Sequence, residues 1–575
     1  MKQLLTALLC VPATLSMAQT KINSATFGMM EARWLGPGTM SGRITAIQGV
    51  NNEPKTIYIG TAGGGVWKTT NSGASFKPIF DKYCQSIGAV AVDQKNPKVI
   101  FVGTGESNMR NSVSIGNGLY KTTDAGDNWT KVGGLDSTEH IAEIIINPKN
   151  SNEVYVAAPG PLWSDSKHRG LYKSEDGGKT FKQILYISEK AGAGDVAIDP
   201  ENPNVVYATT WEFRRKPYSF NSGGPGGGIW KSLDGGKNWR RIQSGLPQGL
   251  IGRVALAMAP SSPKNLVAIA ELENNKTGLY ISDDGGENWK AQSASLNVVS
   301  RPFYFACIEV DPKDPKRVYR PAYSFAYSVD GGYSFAEASS EGGWVHSDHH
   351  ALWINPNATN ELWLGTDGGV YLSLDKGATW SFKGNLPVGQ FYHVAVDNAN
   401  PYRIYGGLQD NGSWVAPSAA PGGVSNAVWQ DVYGGDGFWT VPDAKDPNFC
   451  YAEYQGGNMA RVNLTNGKAV AIQPQKGPGD EDLRWNWNTP LYVGTYTGAL
   501  YCGAQYVYRS TDQGRNWTRI SPDLTTNDKN KQKQEESGGL TADNTSAENH
   551  CTIFTIAESP LDANMIWVGT DDGNL

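Results

Sequence analysis

The residues best suited to chemistry in this chain are concentrated in one short stretch, His346-Ser347-Asp348-His349-His350. The chain has only seven histidines, and three of them fall within these five residues. Imidazole and carboxylate groups together are typical of metal ligands, and also of a general base with its orienting partner. The stretch therefore predicts a divalent metal site at His346, His349 and His350, or a catalytic or ligand-binding loop. A polar loop that fills the centre of the fold through hydrogen bonds is the plainer alternative.

Two aspartates stand in stretches where the backbone is expected to turn sharply or to approach a ligand closely. Asp436 lies in the sequence GGDG at 434–437, and Asp410 lies in QDNG at 409–412. Glycine adopts backbone angles that other residues resist, so either stretch is a tight turn or a close approach of main chain and carboxylate to a bound molecule. Both interpretations stay open for Asp436 and for Asp410.

Aromatic and charged side chains elsewhere in the chain are candidates for ligand binding. Tryptophan rings are flat apolar platforms that can stack on sugars, although most tryptophans in a sheet-rich fold serve packing. Glu106 and Arg110 either contact a ligand or form an ordinary ion pair in a loop. The predicted ligand-binding set is Glu106, Arg110, Trp211, Arg43, Trp439 and Trp485.

The element that must position these residues is a short sequence motif, or phrase, that is repeated along the chain. Its clearest copy is YKSEDGGKTF at 172–181. The aspartate accepts hydrogen bonds from its own turn, the glycine two residues later supplies an unusual backbone angle, and the closing aromatic residue packs beneath. This is an Asp-box, which closes a β-hairpin. Other copies are 121–129 (KTTDAGDNW), 231–239 (KSLDGGKNW), 281–289 (ISDDGGENW), 372–380 (LSLDKGATW) and 509–517 (RSTDQGRNW), with weaker ones at 327–335 (YSVDGGYSF) and 68–76 (KTTNSGASF).

The spacing of these boxes predicts the fold class. The box aspartates at positions 124, 176, 234, 284, 330 and 375 are 45 to 58 residues apart. A four-stranded repeat of that period is typical of a β-propeller blade. We predict an all-β chain with one seven-bladed propeller of Asp-box blades at 19–388 and the start of a second at 389–575, incomplete at the C-terminus. A single ten-bladed ring is the alternative. The polar tract 525–548 is predicted to be a long surface loop.

Blade topology sorts the candidate residues onto one face of the predicted propeller. Successive strands run in opposite directions, so the Asp-box turns share one face with the first-to-second turns. The blade-entry loops and the second-to-third loops share the opposite face, which carries Arg43, Glu106, Asp410, Asp436 and the stretch 346–350. We expect function on that face, away from the Asp-box turns.

Composition and the N-terminal residues indicate the localisation of the protein and the partners it is unlikely to bind. The net charge of −6 without a basic run argues against nucleic acid as a partner. A short charged start, an apolar stretch and Ser16-Met17-Ala18 before Gln19 predict a signal peptide at 1–18, cleaved after Ala18, and a secreted protein. No later stretch is long and apolar enough to span a membrane. Five scattered cysteines in the mature chain suggest neither a disulfide framework nor a zinc site.

These phrases resemble a family of secreted bacterial Asp-box (BNR) repeat proteins described as glycosyl hydrolase or sortilin-like. The resemblance extends over essentially the whole chain and includes the Asp-boxes, the HSDHH loop, RWNWNTP at 484–490 and SPDLT at 521–525. It implies propeller architecture and either a glycosyl hydrolase or a sortilin-like binding role. Members of the family typically continue beyond 575 residues, and the last phrase here, MIWVGTDDGNL at 565–575, looks like the first half of another blade.

More distantly the chain is similar to xyloglucanases, in which two seven-bladed propellers clasp a β-glucan and one aspartate from each propeller inverts the bond. One family aspartate stands in a Thr-Asp-x-Gly-Gly phrase, where this chain has Ala62. The other stands in a phrase that resembles GDGF at 435–438, which implies a catalytic role for Asp436. An inverting hydrolase needs an acid and a base. Asp410, Asp348 or Glu106 would then have to supply the missing carboxylate.

Two functions are therefore predicted from the sequence. The first is a secreted carbohydrate-active protein, a glycoside hydrolase acting on a polysaccharide in the cleft between two propellers, with Asp436, Asp410 and Asp348 as catalytic candidates. The alternative is a non-catalytic, sortilin-like propeller that binds glycan or peptide. A metal-dependent enzyme using the HSDHH loop is a third possibility.

Overall fold

The computed structural model describes residues 35–36, 41–111, 113–337, 344–562 and 564–575. The predicted signal peptide at 1–18 lies outside these residues. The described chain is almost entirely strand and turn, with a single short α-helix (Leu296–Val299) and 3₁₀ turns at Asn426–Val428, Lys529–Lys531 and Gln534–Glu536. Among the described helices, none has the length and apolar character needed to cross a membrane.

The described residues form ten successive antiparallel sheets, each built on four strands, and a final two-stranded hairpin. We number the sheets in chain order. Their strands are, for sheet 1, Ile44–Val50, Glu53–Thr61, Val66–Thr69 and Lys77–Pro78; sheet 2, Ile87–Val92, Ile100–Thr104, Leu119–Thr122 and Thr130–Val132; sheet 3, Glu143–Ile146, Val154–Ala158, Gly170–Ser174 and Lys182–Leu185; sheet 4, Ala191–Ile198, Val206–Lys216, Gly228–Ser232 and Arg240–Arg241; sheet 5, Ile251–Ala259, Ser262–Leu272, Gly278–Ser282 and Lys290–Ser293; sheet 6, Glu309–Asp311, Asp314–Pro321, Phe325–Ser328 and Ala336–Glu337; sheet 7, His349–Ile354, Leu362–Thr366, Gly369–Ser373 and Ser381–Phe382; sheet 8, Phe391–Val396, Arg403–Leu408, Ser413–Pro417 and Gln430–Tyr433; sheet 9, Thr440–Pro442, Phe449–Tyr454, Asn458–Asn463 and Ala469–Ala471; sheet 10, Leu491–Val493, Leu500–Gly503, Val507–Ser510 and Thr518–Arg519; and the final hairpin, Ile553–Glu558 and Ile566–Thr570.

The Asp-box turn forms as its sequence predicts. In sheet 3 the Ser174 hydroxyl donates to Asp176 at 2.8 Å, and the Gly178 N–H donates to that same hydroxyl at 2.8 Å. The Thr180 N–H donates to the Asp176 carboxylate at 3.0 Å. Gly178 has a φ of +82°, in the left-handed region that favours glycine. The all-β, four-stranded propeller class is therefore confirmed.

The first seven sheets surround one cavity. The innermost strand of sheet 1 packs against the innermost strands of both sheet 2 and sheet 7. A central cavity of about 420 Å³ is lined by residues from the innermost strand of every one of these sheets. These residues include Ile47, Ala89, Ile145, Val196, Leu256, Val310 and Leu352. We infer that the seven sheets close into a ring, which favours a seven-bladed first propeller over a single ten-bladed ring.

Sheets 8 to 10 and the final hairpin pack against one another in chain order and form what we call the second unit, with sheets 1 to 7 as the first unit. The cores are local to neighbouring sheets. Tyr405, Cys450 and Val462 are buried between sheets 8 and 9, and Tyr451, Leu491 and Cys502 between sheets 9 and 10. The five described cysteines are all free thiols.

Residues 525–548 form a long and mostly exposed or half-buried loop, as predicted, but part of it is held on the first unit. Gly538–Gly539 pairs in parallel with Asn221 and Ser222, which belong to an extra hairpin strand, Ser219–Ser222, at the end of sheet 4. Asp543 and Glu548 are buried. We call 525–548 the strap, because it leaves the second unit and lies across the first. The side chains of Ser537, Asp543 and Glu548 have partners on the first unit, which the polar composition of this stretch did not indicate.

Candidate functional site

A polar cavity of about 260 Å³ lies between the two units, on the face opposite the Asp-box turns. Its walls come from the entry loops of sheets 1, 6, 7, 9 and 10, the loops after the second strands of sheets 2, 8 and 9, and the strap. The lining residues are Arg43, Arg110, Asn111, Arg301, Tyr304, His346, Ser347, Asp348, Gln409, Asp410, Gly435, Asp436, Gln455, Trp487 and Thr545. The three aspartates predicted to be catalytic, Asp348, Asp410 and Asp436, all line this one cavity.

Asp436 is fixed by the loop that enters sheet 9. Its N–H donates to the Gln455 side-chain oxygen at 3.0 Å. The flanking glycines are required by close packing: a Cβ on Gly437 would lie 2.2 Å from the Gly412 carbonyl oxygen, and Gly435 has a φ of +74°. The stretch is thus a tight turn packed closely against the Gly412 backbone, which agrees with the first interpretation, while an approach to a bound molecule stays a prediction.

Asp410 and Asp436 are joined by one amide side chain. Gln409 donates through Nε2 to Asp410 Oδ1 at 2.8 Å and to Asp436 Oδ2 at 2.9 Å. The Asp410 N–H donates to Asp436 Oδ1 at 3.0 Å. Asp410 adopts a φ of +63°, which turns its backbone N–H toward the neighbouring carboxylate. The two carboxylates therefore form one closely coupled pair.

Arg43 sits behind this pair and connects four sheets. Its guanidinium lies 2.7 Å from Asp410, 2.5 Å from Asp367 and 3.3 Å from Glu106, and its side chain is 1% exposed. Arg43, Glu106 and Asp367 come from the first unit, and Asp410 comes from the second. One buried cation thus balances carboxylates from both sides of the cavity.

Asp367 is the main partner of Arg43. The Tyr304 hydroxyl donates to Asp367 at 3.2 Å, and His350 Nε2 lies 2.8 Å from Asp367 Oδ1. Burial alone would raise the pKa of Asp367, but Arg43 and then His350 hold that pKa well below its usual value. Asp367 is therefore an ionised anchor beneath the cavity.

Asp348 faces the cavity from the entry loop of sheet 7. Its backbone has a φ of +62°, its N–H donates to the Tyr323 carbonyl at 3.1 Å, and its carbonyl accepts from the Asp367 N–H at 2.9 Å. These main-chain bonds hold the loop while leaving the carboxylate beside the cavity. Within the described part of the chain, the Asp348 carboxylate makes no hydrogen bond or ion pair.

Burial raises the pKa of all three lining aspartates. For Asp436 burial and then the neighbouring Asp410 raise the pKa well above its usual value. For Asp410 burial and Asp367 raise the pKa, and Arg43 opposes them. For Asp348 burial, Asp367 and Asp410 raise the pKa to about 7. A carboxyl group whose pKa is raised toward neutral pH can act as a general acid when it is protonated or as a general base when it is ionised.

The three histidines of the HSDHH stretch point to different partners. His346 lines the cavity, with Nε2 3.2 Å from the Asp410 carbonyl oxygen. His349 Nε2 lies 2.8 Å from the His346 carbonyl oxygen, and His350 turns to Asp367. Successive residues of a strand face opposite sides, which separates His349 from His350. Within the described ranges no group of three His, Cys, Asp or Glu side chains is arranged to hold a metal ion. The geometry gives the predicted metal site no support.

The predicted ligand-binding residues are brought together only in part. Arg43 and Arg110 line the cavity, and Glu106 is buried behind them, 3.4 Å from Arg110. Trp211 is 1% exposed and stacks on Phe213 with ring centroids 4.2 Å apart, so it is a packing residue.

The other two predicted tryptophans also serve packing. Trp439 stacks on His393 at 3.7 Å, and Trp485 is partly buried in the core between sheets 9 and 10. The tryptophan that does line the cavity is Trp487. It belongs to the same RWNWNTP phrase as Trp485, two residues further along.

Sequence reasoning missed several cavity residues. Gln409, Gln455 and Arg301 lie in blade-entry or second-to-third loops, which the sorting of loops placed on the functional face, but none of them is in the predicted ligand-binding set. Tyr304 carried no signal at all. Ala62, at the position of the missing family carboxylate, is fully buried, and its N–H donates to the Arg43 carbonyl at 3.0 Å.

Comparisons with known proteins agree with this architecture. A family model described as sortilin, neurotensin receptor 3 (Sortilin-Vps10) matches residues 117–244 and 169–320. The chain is 25% identical over 577 residues to a xyloglucanase of Hypocrea jecorina, covering 85% of this chain and 63% of that one. The chain resembles propeller glycosyl hydrolases. It is also 29% identical over 295 residues to an oligoxyloglucan-reducing end-specific xyloglucanase of Emericella nidulans, covering 48% of this chain and 27% of that one.

A solved structure supports the fold as well. The crystal structure of an ancestral GH74 enzyme superposes with a TM-score of 0.60 at 17% identity, covering 94% of this chain and 75% of that one. At this identity the likeness shows the fold. The chain spans less than two thirds of the length of the two xyloglucanases named above.

Proposed function

We propose that this protein is a glycoside hydrolase that acts on a polysaccharide in the cleft between its two units. The observation that carries the proposal is the convergence of Asp348, Asp410 and Asp436 on one cavity at the junction of the units. The similarity to xyloglucanases makes xyloglucan the first substrate to test. Export after cleavage following Ala18 belongs to the same proposal, since such polymers lie outside the cell.

We assign the general acid to Asp436. Burial and the neighbouring Asp410 favour its protonated form, and only a protonated carboxyl can donate to the leaving glycosidic oxygen. Asp410 is ill suited to act as the opposing base, because Gln409 Nε2 bonds to both carboxylates and so keeps them side by side. Asp410 instead raises the pKa of Asp436, while Arg43 balances the charge of Asp410.

We assign the second catalytic carboxylate to Asp348. It lines the same cavity from the entry loop of sheet 7 and so reaches it from a different element than Asp436. Glu106 is less suited, since it is buried and engaged by Arg43 and Arg110. In the proposed reaction Asp436 protonates the leaving oxygen, and water adds to the anomeric carbon as that bond breaks. Asp348 takes the proton released by the water.

The test is hydrolysis of a polysaccharide panel that starts with xyloglucan and includes other β-glucans, with product analysis. Asp436→Asn and Asp348→Asn should each reduce kcat by roughly 10²–10⁴-fold, the usual contribution of a general acid or base. Asp234→Asn, which alters an exposed Asp-box on the opposite face, is the matched control and should retain wild-type kcat.

The second candidate is a non-catalytic propeller that binds glycan or peptide. Two observations favour it: the match to the sortilin family model, and Ala62 at the position of a family catalytic carboxylate. Binding of a panel member by calorimetry, with no product from wild-type protein, would establish this role and remove the hydrolase assignment.

A further inference from the structure

The strap is seated on the first unit by main-chain and side-chain bonds. Beside the parallel pairing of Gly538–Gly539, the Phe220 N–H donates to the Ser537 hydroxyl at 2.9 Å, and the Leu540 N–H donates to the Ser222 carbonyl at 2.9 Å. A segment held by bonds of this kind over several residues has a defined position on the surface it crosses.

A buried ion pair fixes the far end of the strap. Arg215 of the first unit lies 2.7 Å from Glu548, and both side chains are 1% exposed. The Thr545 N–H donates to the second Glu548 oxygen at 3.0 Å, and Thr545 itself lines the cavity. The strap is therefore held at the edge of the candidate site.

The strap places one carboxylate directly behind an arginine of the cavity wall. Asp543 is 3% exposed, and its Oδ1 lies 2.9 Å from Arg301 Nη2. Asp543 also lies 4.0 Å from Arg215, but Arg215 has the closer Glu548. Arg301 is thus the nearest cation of Asp543.

Arg301 has the exposure and the donors to contact a ligand. Its side chain is 30% exposed and lines the cavity, while its guanidinium carbon lies 4.7 Å from the centre of the Tyr304 ring. Its backbone has a φ of +35°, which is unusual for a residue with a side chain. An arginine presents five N–H donors in a planar fork, and one ion pair leaves several of them for sugar hydroxyl groups.

We propose that Arg301 is a substrate-binding residue of the cavity and that Asp543, reaching across on the strap, is the positioning residue that holds it there. This inference rests on the proposed hydrolase function for its ligand. Asp543 and Tyr304 contact the guanidinium at the cavity wall, where the Arg301 side chain is 30% exposed. The second unit thereby completes a binding wall that the first unit supplies only in part.

The test compares Asp543→Asn, Arg301→Ala, the double variant and Glu536→Gln, with initial rates on xyloglucan. Glu536 is an exposed acid of the same strap, paired with Lys533 at 3.7 Å, and serves as the control. Arg301→Ala should raise KM roughly tenfold, about the loss of one hydrogen bond to a charged group, with kcat changed much less. Asp543→Asn should raise KM by a smaller factor, and Glu536→Gln should match wild type.

The double variant distinguishes a positioning role of Asp543 from a nonspecific structural effect of its substitution. If Asp543 acts through Arg301, then Asp543→Asn has no further effect on KM once Arg301 is alanine. The inference would be overturned if the KM increases of the two single variants multiply in the double variant. It would also be overturned if Asp543→Asn lowers kcat and Tm without changing KM. Arg301→Lys should restore part of the affinity only when Asp543 is present.

A crystal structure of Asp543→Asn tests the positioning without any substrate. We expect the Arg301 guanidinium to leave the face of Tyr304, and an unmoved guanidinium would overturn the inference. Lack of turnover on the whole polysaccharide panel by wild-type protein would instead count against the proposed function. The crystal structure would still decide the role of Asp543 in that case.

Discussion

The aspartates of the Asp-box turns and the aspartates of the cavity lie on opposite faces of the molecule and in opposite environments. In a box such as Asp234, the Ser232 hydroxyl, the Asn238 N–H and the Asn238 amide all donate to an exposed carboxylate. Those hydrogen bonds lower its pKa to about 2. In the cavity, burial raises the pKa of Asp348 to about 7 and that of Asp436 higher than normal.

This difference shows where the same residue type can do chemistry. A carboxylate satisfied by its own turn is fixed in the ionised form and closes a hairpin. A carboxyl group buried beside other carboxylates has a raised pKa and can exchange a proton near neutral pH, as the proposed donor Asp436 and the proposed acceptor Asp348 must. The repeated aspartates therefore build the fold, and the isolated ones, set in glycine-rich or histidine-rich loops, are the candidates for function.

The largest expected effect is the loss of activity in Asp436→Asn. We expect kcat on a hydrolysed polysaccharide to fall by roughly 10²–10⁴-fold, because the proposed proton donor is gone. The same change at the Asp-box, Asp234→Asn, should leave kcat near wild type. If initial rates show that kcat falls equally in both variants, then the two faces do not differ in function as proposed.

The next effect concerns stability and centres on Arg43. Arg43→Met leaves Glu106, Asp367 and Asp410 without their shared cation, and removing one partner of a buried ion pair typically costs roughly 3–5 kcal/mol. Urea unfolding at pH 7 measures this loss. Lys290→Met, which breaks an exposed pair with Asp283, is the control and should change the midpoint little. A midpoint for Arg43→Met as high as that of the control would contradict the central role of Arg43.

A smaller effect is a shift in the pH profile of Asp410→Asn. Asp436 is active when protonated, so activity should fall as pH rises through its raised pKa. Removing the negative charge of Asp410 takes away part of that rise, while burial remains. The alkaline limb of kcat/KM should therefore move to lower pH. An alkaline limb that stays in place or moves upward would show that Asp436 is not the group that titrates.

The smallest effect is on stability at the Asp-box. The pKa of Asp234 is lowered in the folded state, so its stabilising contribution is present above the unfolded value and is lost as pH falls through about 2. Wild type and Asp234→Asn should differ in Tm at neutral pH and converge toward pH 2. A difference that persists at pH 2 would mean that the hydrogen-bonded charge is not what stabilises the turn.

Much of the fold was predictable because its signals are local and repeated. The Asp-box of Asp176 closes its hairpin through bonds within seven residues of sequence, and the spacing of the boxes predicted four-stranded blades. The sorting of loops onto two faces also placed Asp348, Asp410 and Asp436 on one side. The attachment of the strap to the first unit could not be predicted, because its partners, such as Arg215 for Glu548, are more than 300 residues away in sequence.

Some residues of the candidate site were predictable from the sequence, but their arrangement was not. The cluster of histidines suggested a metal, yet His350 is engaged by Asp367 and His349 by a carbonyl, which only the register of the strand His349–Ile354 reveals. Trp211 looked like a sugar platform but packs on Phe213. Side-chain type indicates what chemistry is available, and the packing of neighbouring sheets decides which side chains reach the cavity.

The most direct test of the central claim is the release of new reducing ends from xyloglucan by wild-type protein and Asp436→Asn, measured side by side at neutral pH. The account predicts measurable release by wild type and a loss of at least two orders of magnitude in the variant. Release at the same rate by both proteins would contradict the assignment of Asp436. No release by either, together with tight binding of the polymer, would make the cavity a recognition site.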